Sequence, residues 1–201
     1  MSERDMASPV LFRSWTPSTT YATYNCTVVE ACRATTADTP IFAAIEVGEP
    51  WLKETFVGGS LRCNNPVQSV LHEAESTFPD QTISCVVSIG AGIQGVIGMK
   101  QPNDSTTAPL FDLLRKIATD CEFTAQSVSK QLSAKSGMYF RLNVDQGLQE
   151  VGSTQWEEAS AVQAHSFQYL RRHEVDEKVG QLVQTLIGAL DHDVSHKLNS
   201  L

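Results

Sequence analysis

The stretch Phe56-Val-Gly-Gly-Ser-Leu-Arg-Cys-Asn-Asn-Pro66 sets the pattern for the middle of this 201-residue chain. It begins with a short apolar strand, Phe56-Val57, which ends in a turn at Gly58-Gly59-Ser60. Two adjacent glycines predict a turn with positive φ, a conformation that other residues rarely adopt. Asn65 followed by Pro66 predicts a helix start, because asparagine is a favoured N-cap and proline suits the first helical position. The stretch therefore predicts a strand, a turn and a helix in succession.

The segment after Pro66 has the apolar spacing of an amphipathic helix that ends near Phe78. Its predicted inner face consists of Val67, Val70, Leu71 and Ala74. Pro79-Asp80 ends this helix, and the mostly apolar run Ile83–Ile89 follows. Such a run is typical of a strand that is covered on both faces, as in an α/β sheet. We expect Gly90-Ala-Gly92 to be the turn by which the chain leaves this strand.

Further strands and helices are predicted on both sides of this region. Strands are expected at Val10–Trp15 and Met138–Val144. The predicted helices are a capping-box helix from Thr27 and Glu30 through Thr35, a long amphipathic helix over 110–128, a capping-box helix from Thr154 and Glu157 to about Arg172, and a C-terminal helix over about 174–190. Because strands and helices alternate, the sequence predicts an α/β fold with a largely parallel sheet, and it shows no internal domain boundary.

The composition is that of a globular protein, with 41% hydrophobic and 19% charged residues. A formal net charge of −8 disfavours a nucleic-acid partner, since such binding depends on cationic contacts to phosphate. It also provides no attraction to anionic lipid. Residues 1–9 lack the apolar core of a signal peptide, and no apolar run is long enough to span a membrane. We therefore expect a cytoplasmic protein without a transmembrane segment.

The cysteines are odd in number and widely spaced, which favours reduced, buried thiols. They are Cys26, Cys32, Cys63, Cys85 and Cys121. A zinc site would need cysteine and histidine at short spacing. His192 and His196 are four residues apart, but without further ligands a solvated helix end is the better interpretation. Gly90-Ala-Gly92 does not complete a phosphate-binding Gly-x-Gly-x-x-Gly pattern. We expect neither a metal nor a cofactor.

Several segments, in order along the chain, resemble the patatin-like phospholipases. Phe56–Pro66 is similar to their aspartate motif, aromatic-Val-Asp-Gly-Gly-Leu-x-x-Asn-Asn-Pro. Leu11-Phe-Arg-Ser-Trp15 resembles their Leu-Phe-Arg-Ser-Tyr strand, and Val29–Phe42 resembles their Ala-x-Arg-Ala-Thr-Ser-Ala-Ala-Pro-x-x-Phe helix and turn. Val87–Gly92, Tyr139–Val144 and the helix containing Trp156 also follow the family pattern. The resemblance covers a motif-bearing core of about residues 10–172. It implies that residues 1–201 form the C-terminal part of a patatin-like domain, with a partial three-layer sheet and flanking helices.

The resemblance implies an ancestral activity of acyl hydrolysis on glycerolipids or phospholipids. In that family a serine in a Gly-x-Ser-x-Gly turn is paired with the motif aspartate, and a glycine-rich loop binds the oxyanion. This chain contains no Gly-x-Ser-x-Gly, and Gly58 stands where the aspartate would be. We therefore expect a truncated or pseudoenzyme relative that is inactive alone and that self-associates or needs a missing N-terminal half. The alternatives are a non-catalytic regulatory module of an intracellular multidomain signalling protein and a half-enzyme completed in trans.

Other residues near this motif are weaker catalytic candidates. Ser60 lies at a glycine position of the family and has no evident adjacent base, so it is not expected to be a nucleophile. Asp80 and Asp104 are the next aspartates, and both are expected in surface turns. Ser88 is expected to be a hydrogen-bonded structural residue.

The remaining motif residues are expected to have structural roles. Asn64, Asn65 and Pro66 should organise the turn and cap the following helix. Arg33 follows the family pattern and is expected to pin a neighbouring loop through hydrogen bonds to carbonyls. The alternative for Arg33 is a plain surface arginine, since arginine side chains are mostly exposed.

Overall fold

The computed structural model describes residues 1–15, 24–39, 41–99, 108–133, 137–149, 151–152 and 154–198, with only the backbone for 108 and 189–198. Its elements, in chain order, are α1 (Val28–Thr36), β1 (Ile45–Glu49), β2 (Leu52–Phe56), α2 (Ser60–Cys63), α3 (Val67–Thr77), β3 (Val86–Ile89), α4 (Ala108–Ala118), α5 (Glu122–Gln131), β4 (Tyr139–Leu142), α6 (Ala159–Leu170) and α7 (His173–Leu198). The fold class is thus mixed α/β, as the sequence predicts.

The chain divides into two compact units, although the sequence pattern shows no internal boundary. Unit 1 comprises Met1–Asn64 and Ile97–Asp120, and unit 2 comprises Asn65–Val96 and Cys121–Leu201. Each unit has one two-stranded sheet in the described part of the chain. The sheet of unit 1 is antiparallel and that of unit 2 is parallel, so the expectation of one largely parallel sheet is met only by β3 and β4.

The sheet of unit 1 is a hairpin of which the sequence analysis identified only the end of the second strand. Ile45 pairs with Phe56, and Glu49 pairs with Leu52 at the turn. Gly48 has a φ of +124°, and a Cβ atom built on it would lie 2.5 Å from the carbonyl oxygen of Leu52. Because only glycine tolerates both conditions, Gly48 fixes the geometry of this hairpin.

Phe56 lies at the centre of the unit 1 core and is fully buried. The rings of Phe12 and Tyr24 meet it edge-on, with centroid distances of 5.2 and 5.0 Å. The predicted strand Val10–Trp15 is wrong: this segment is irregular and contributes the side chains of Val10 and Phe12 to the core. The alternating apolar pattern correctly marked side chains that enter the core. A strand also needs a partner strand, and no described residue forms a ladder with this segment.

The hydroxyl of Tyr24 donates a hydrogen bond to the Glu54 carboxylate on β2. This bond, together with burial, raises the pKa of Tyr24 from 10.0 to about 12. Between those two pH values the native state keeps a proton that the unfolded state has lost, so stability falls as the pH rises. We therefore predict that the stability advantage of the wild type over Tyr24→Phe, fully present near neutral pH, shrinks from pH 10.0 to about 12.

Denaturant unfolding of the two proteins over a pH series checks this prediction. Subtracting one curve from the other removes the contributions of the remaining tyrosines and lysines, which titrate in both proteins. An advantage that stays constant through the alkaline range would contradict the prediction.

Unit 2 is built on the parallel pair of β3 and β4, against which α3 and α5 pack. Its main core cluster consists of Val67, Leu71, Val86 and Val128. β3 is shorter than the predicted run Ile83–Ile89, since its first three residues are irregular. Val86 and Ser88 are buried, whereas Val87 and Ile89 are exposed, so this strand is not covered on both faces as predicted.

The single long helix predicted over 110–128 is instead two helices, α4 and α5. The helical conformation is interrupted between Ala118 and Glu122. α4 belongs to unit 1 and α5 belongs to unit 2. Two carbonyls at the break accept hydrogen bonds from side-chain amides: Thr119 from Asn64 (2.5 Å) and Cys121 from Asn65 (3.1 Å). These bonds satisfy carbonyl groups that a continuous helix would have paired internally.

The last two helices also differ from their predicted bounds. The capping box of Thr154 and Glu157 does not form, and a 3₁₀ turn over Trp156–Glu158 precedes α6. α7 continues past the predicted end near residue 190 to Leu198, and its residues Val175 and Leu182 are buried. No helix of the described residues is both long and apolar enough to cross a membrane.

All five cysteines are free thiols, but the expectation that they are buried is wrong. Cys32 is exposed and the other four are half-buried. Desolvation raises the pKa of Cys26 and of Cys85 above the ordinary thiol value.

Candidate functional site

The candidate site is the motif turn, which we define as residues Gly58–Pro66. Gly58 is buried, and its N–H donates a hydrogen bond to the carbonyl oxygen of Ala37 at 2.7 Å. A Cβ atom built on Gly58 would lie 3.1 Å from the carbonyl carbon of Ala37 and 3.2 Å from the backbone nitrogen of Asp38. Backbone atoms of Ala37 and Asp38 therefore crowd position 58, which the resemblance aligns with the family's aspartate.

The predicted reason for the two glycines is wrong. Neither Gly58 nor Gly59 has a positive φ, and Gly59 has φ −83°. Gly58 is required because another backbone segment approaches it closely, which is a separate reason for placing glycine in a turn. The contact joins residues about twenty positions apart, so local sequence gives no sign of it.

Ser60 is the first residue of α2, and its hydroxyl donates a hydrogen bond of 2.5 Å to a carboxylate oxygen of Asp38. The acidic partner of this serine was not predicted from the sequence. Both side chains are half-buried. A serine bonded to a carboxylate is one part of a nucleophilic site, but ester hydrolysis also needs donors aimed at the oxyanion. The N–H of Gly58 is bonded to the carbonyl of Ala37 and is therefore not such a donor.

The Asn64-Asn65-Pro66 part of the motif turn has the predicted structural role. Asn65 is buried; its side-chain oxygen accepts from the N–H of Val67 at 3.3 Å, and its amide donates to the carbonyl of Cys121. The amide of Asn64 donates to the carbonyl of Thr119. α3 begins at Val67, one residue after the predicted start, which is within the usual uncertainty of helix ends. The turn is held by its asparagines.

Three other candidates lie on the surface or beyond the described residues. Arg33 is exposed on α1, and its side chain forms no ion pair or hydrogen bond with the described residues, which favours the surface alternative over the pinning role. Asp80 is exposed in a turn, as predicted. Asp104 lies outside the described residues. None of the three adds to the motif turn.

A second polar site, the strand-end cluster, consists of Ser88, Glu122, Arg141 and Asn143 in unit 2. The Arg141 guanidinium donates to Glu122 Oε1 at 2.9 Å and to Ser88 Oγ at 3.0 Å. The amide of Asn143 donates to the same Glu122 oxygen at 2.8 Å. Ser88 is thus a hydrogen-bonded structural residue, as predicted. The shared partner of Arg141 and Asn143, Glu122 at the start of α5, was not predicted from the sequence.

The glycines after β3 fit closely against this cluster. A Cβ atom on Gly90 would lie 2.3 Å from the side-chain oxygen of Asn143 and 2.6 Å from a guanidinium nitrogen of Arg141. Gly92, with φ +116°, donates its N–H to the Asn143 oxygen at 2.7 Å. Gly90-Ala-Gly92 is therefore the strand-exit turn that was predicted, and it is fixed by contacts within the protein.

Both terminal nitrogens of Arg141 are engaged, so the strand-end cluster is built for internal stability. One of them also donates to the sulfur of Cys121 at 3.2 Å. The Nε atom of Arg141 is buried and has no partner among the described residues. A guanidinium binds anions through two parallel N–H groups, and in this arrangement Arg141 has no such pair available for a ligand.

The described residues contain no group of three His, Cys, Asp or Glu side chains that could hold a metal ion together. The side chains of His192 and His196 lie outside the described part of α7. An open hollow of about 410 Å³ lies in unit 2, lined by Leu71, Phe78, Ile83, Leu132 and Met138 among others. Among the described residues that line it, Glu75 is the one carboxylate, and none is a serine or a cysteine.

No protein-family profile, no curated protein and no solved structure was found to match this chain. The resemblance to patatin-like phospholipases is therefore carried by the ordered motifs alone and stays a hypothesis.

Proposed function

We propose that this chain is the C-terminal portion of a patatin-like acyl hydrolase domain and that it does not hydrolyse esters by itself. The observation that carries the second part is the closed environment of Gly58. The residue has no side chain to take a proton, and a Cβ atom there would lie 3.1 Å from the backbone of Ala37 and 3.2 Å from that of Asp38, so a side chain fits only if this backbone shifts. A general base must reach the nucleophile it activates, and no such group stands at this position.

The asparagines of the motif turn support the first part of the proposal. In the resembling family the Asn-Asn-Pro segment follows the catalytic aspartate. Here Asn64 and Asn65 bond the carbonyls at the break between α4 and α5. This function depends on the fold and needs no catalytic aspartate, so it gives a reason for a motif to persist where the chemistry is lost.

The geometry favours a non-catalytic module over a half-enzyme completed in trans. A second chain could supply a serine and an oxyanion loop, but it would still meet Gly58 where the base belongs. The Asp38 carboxylate is already engaged by Ser60 of the same turn, so it is not free to take a proton from a serine of a second chain. Glycerolipids and phospholipids stay the proposed ligand class through the resemblance alone.

We predict that the purified chain does not hydrolyse a chromogenic short-chain ester or a phospholipid above the level of a heat-denatured control. The physical reason is the lack of a base at Gly58 and of a Gly-x-Ser-x-Gly nucleophile. Product release is measured with the wild type, Ser60→Ala and Asp38→Asn side by side.

The two variants make the outcome specific. Hydrolysis that is abolished in both Ser60→Ala and Asp38→Asn would show that the Ser60–Asp38 pair is itself catalytic and would overturn the proposal of an inactive chain. Equal background rates in all three proteins support it.

A further inference from the structure

β3 presents an open edge to its surroundings. The N–H of Val86 donates to the carbonyl of Met138 at 2.7 Å, and the N–H of Gly90 donates to that of Leu142 at 2.8 Å. Both bonds point towards β4. Because the backbone groups of successive strand residues point to opposite sides, those of Val87 and Ile89 point away from β4. In the described part of the chain, β3 has β4 as its sole partner strand.

The outer edge of β4 is protected in a way that β3 is not. The outward N–H of Asn143, just past β4, donates to the hydroxyl of Tyr169 on α6 at 3.2 Å. Val87 is 41% exposed and Ile89 is 77% exposed, and no such side-chain cap reaches them from the described residues. An unprotected edge is a template for another strand.

The sequence of this edge suits pairing with an identical copy. Residues 83–90 contain no charged residue and no proline, in a chain of net charge −8. Natural edge strands usually carry lysine, proline or a bulge that prevents pairing. Two identical strands without charged residues do not repel each other electrostatically when they pair. Paired β-branched side chains also favour a sheet.

We propose that β3 pairs antiparallel with β3 of a second copy of this chain, about a two-fold axis at Val87. Each Val87 then donates its N–H to the carbonyl of the other, and Ile89 lies opposite Cys85 of the second copy. The product is a four-stranded sheet in the order β4, β3, β3, β4. An antiparallel strand at the edge of a parallel sheet is a common arrangement, and a two-fold axis closes the assembly at two copies. This inference is independent of the proposed function.

The test is the molar mass in solution, by size-exclusion chromatography with light scattering over a concentration series. The wild type is expected at twice the chain mass. Val87→Pro removes the outward N–H but no bond to β4, and Ile89→Lys places a charge on the edge. Val87→Pro removes two hydrogen bonds from the symmetric pair, so its dissociation constant rises by at least about tenfold. Val96→Lys is the matched control, since Val96 is 99% exposed in the same unit but outside β3, and this variant stays dimeric.

Several outcomes would overturn the proposal. These are a wild type that is monomeric throughout, assemblies larger than a dimer, or folded edge variants that associate as tightly as the wild type. Circular dichroism shows whether each variant is folded. If Val87→Pro is unfolded, the molar mass of Ile89→Lys decides the test. Hydrogen exchange of the wild type gives an independent readout: the amides of Val87 and Ile89 should exchange more slowly in concentrated than in dilute samples. Equal exchange rates would also overturn the pairing.

Discussion

Replacing Glu122 by alanine is expected to lower the free energy of unfolding by about 3 kcal/mol. One oxygen of this carboxylate accepts from both Arg141 (2.9 Å) and Asn143 (2.8 Å). The side chain of Arg141 is only 13% exposed and that of Glu122 25%, so solvent screens the pair weakly. Without Glu122 the guanidinium keeps its charge in a mostly buried setting and loses its compensating partner. Denaturant unfolding, followed by circular dichroism, measures the loss.

Two variants separate this effect from a general response to mutation. Glu122→Gln keeps an oxygen that can accept from Arg141 and Asn143, so it should cost clearly less than Glu122→Ala. Asp112→Ala removes an exposed ion pair with Arg115 and Lys116 on α4 and should change stability little. If Glu122→Ala is as mild as Asp112→Ala, the strand-end cluster does not hold unit 2 together as we infer.

Features set by neighbouring residues could be predicted from the sequence. Thr27 and Glu30 form the predicted capping box: the N–H of Glu30 donates to the Thr27 hydroxyl at 3.2 Å, and the N–H of Thr27 donates to the Glu30 carboxylate at 2.7 Å. The N–H and the hydroxyl of Thr27 both donate to the Glu30 carboxylate and lower its pKa. The start of α3 was predicted to within one residue: it begins at Val67, whose N–H donates to the side-chain oxygen of Asn65. In both places the partners lie within three residues, so the spacing alone determines the contact.

The same spacing at Thr154 and Glu157 gave no capping box, because another local bond is made there. The side-chain oxygen of Gln155 accepts from the N–H of Gly152 at 2.5 Å, and the chain enters a 3₁₀ turn at Trp156. Short polar contacts of this kind compete with regular helix starts. A spacing rule identifies possible partners but does not rank the alternatives.

Features that depend on distant residues could not be predicted from the sequence. Val10–Trp15 alternates like a strand, yet its side chains pack on Phe56 without any ladder. The single helix over 110–128 breaks where Asn64 and Asn65, more than fifty positions earlier, bond its carbonyls. In the motif turn, the sequence shows glycine at position 58, where the resembling family has aspartate, but it does not show the approach of Ala37 or the bond from Ser60 to Asp38.

Introducing the family's missing residue, Gly58→Asp, is expected to lower the free energy of unfolding by about 2–4 kcal/mol and to confer no ester hydrolysis. The new Cβ atom would lie 3.1 Å from the carbonyl carbon of Ala37, so the turn or the Ala37–Asp38 backbone must shift. The carboxylate would also replace a hydrogen atom at a buried residue, where a charge is costly to desolvate. Denaturant unfolding and the ester assay measure the two effects.

Neighbouring substitutions identify the cause of this loss. Gly58→Ala adds only the steric clash and should cost less than Gly58→Asp, the remainder being the cost of burying the carboxylate. Gly59→Ala is the matched control, because its Cβ atom would meet only Cys63, at an ordinary 3.6 Å, and its φ of −83° suits alanine. If Gly58→Asp is as stable as Gly59→Ala, the motif turn has room for the family's aspartate. The closed backbone around Gly58 would then no longer explain an inactive chain, and the lack of a Gly-x-Ser-x-Gly nucleophile would be left as its cause.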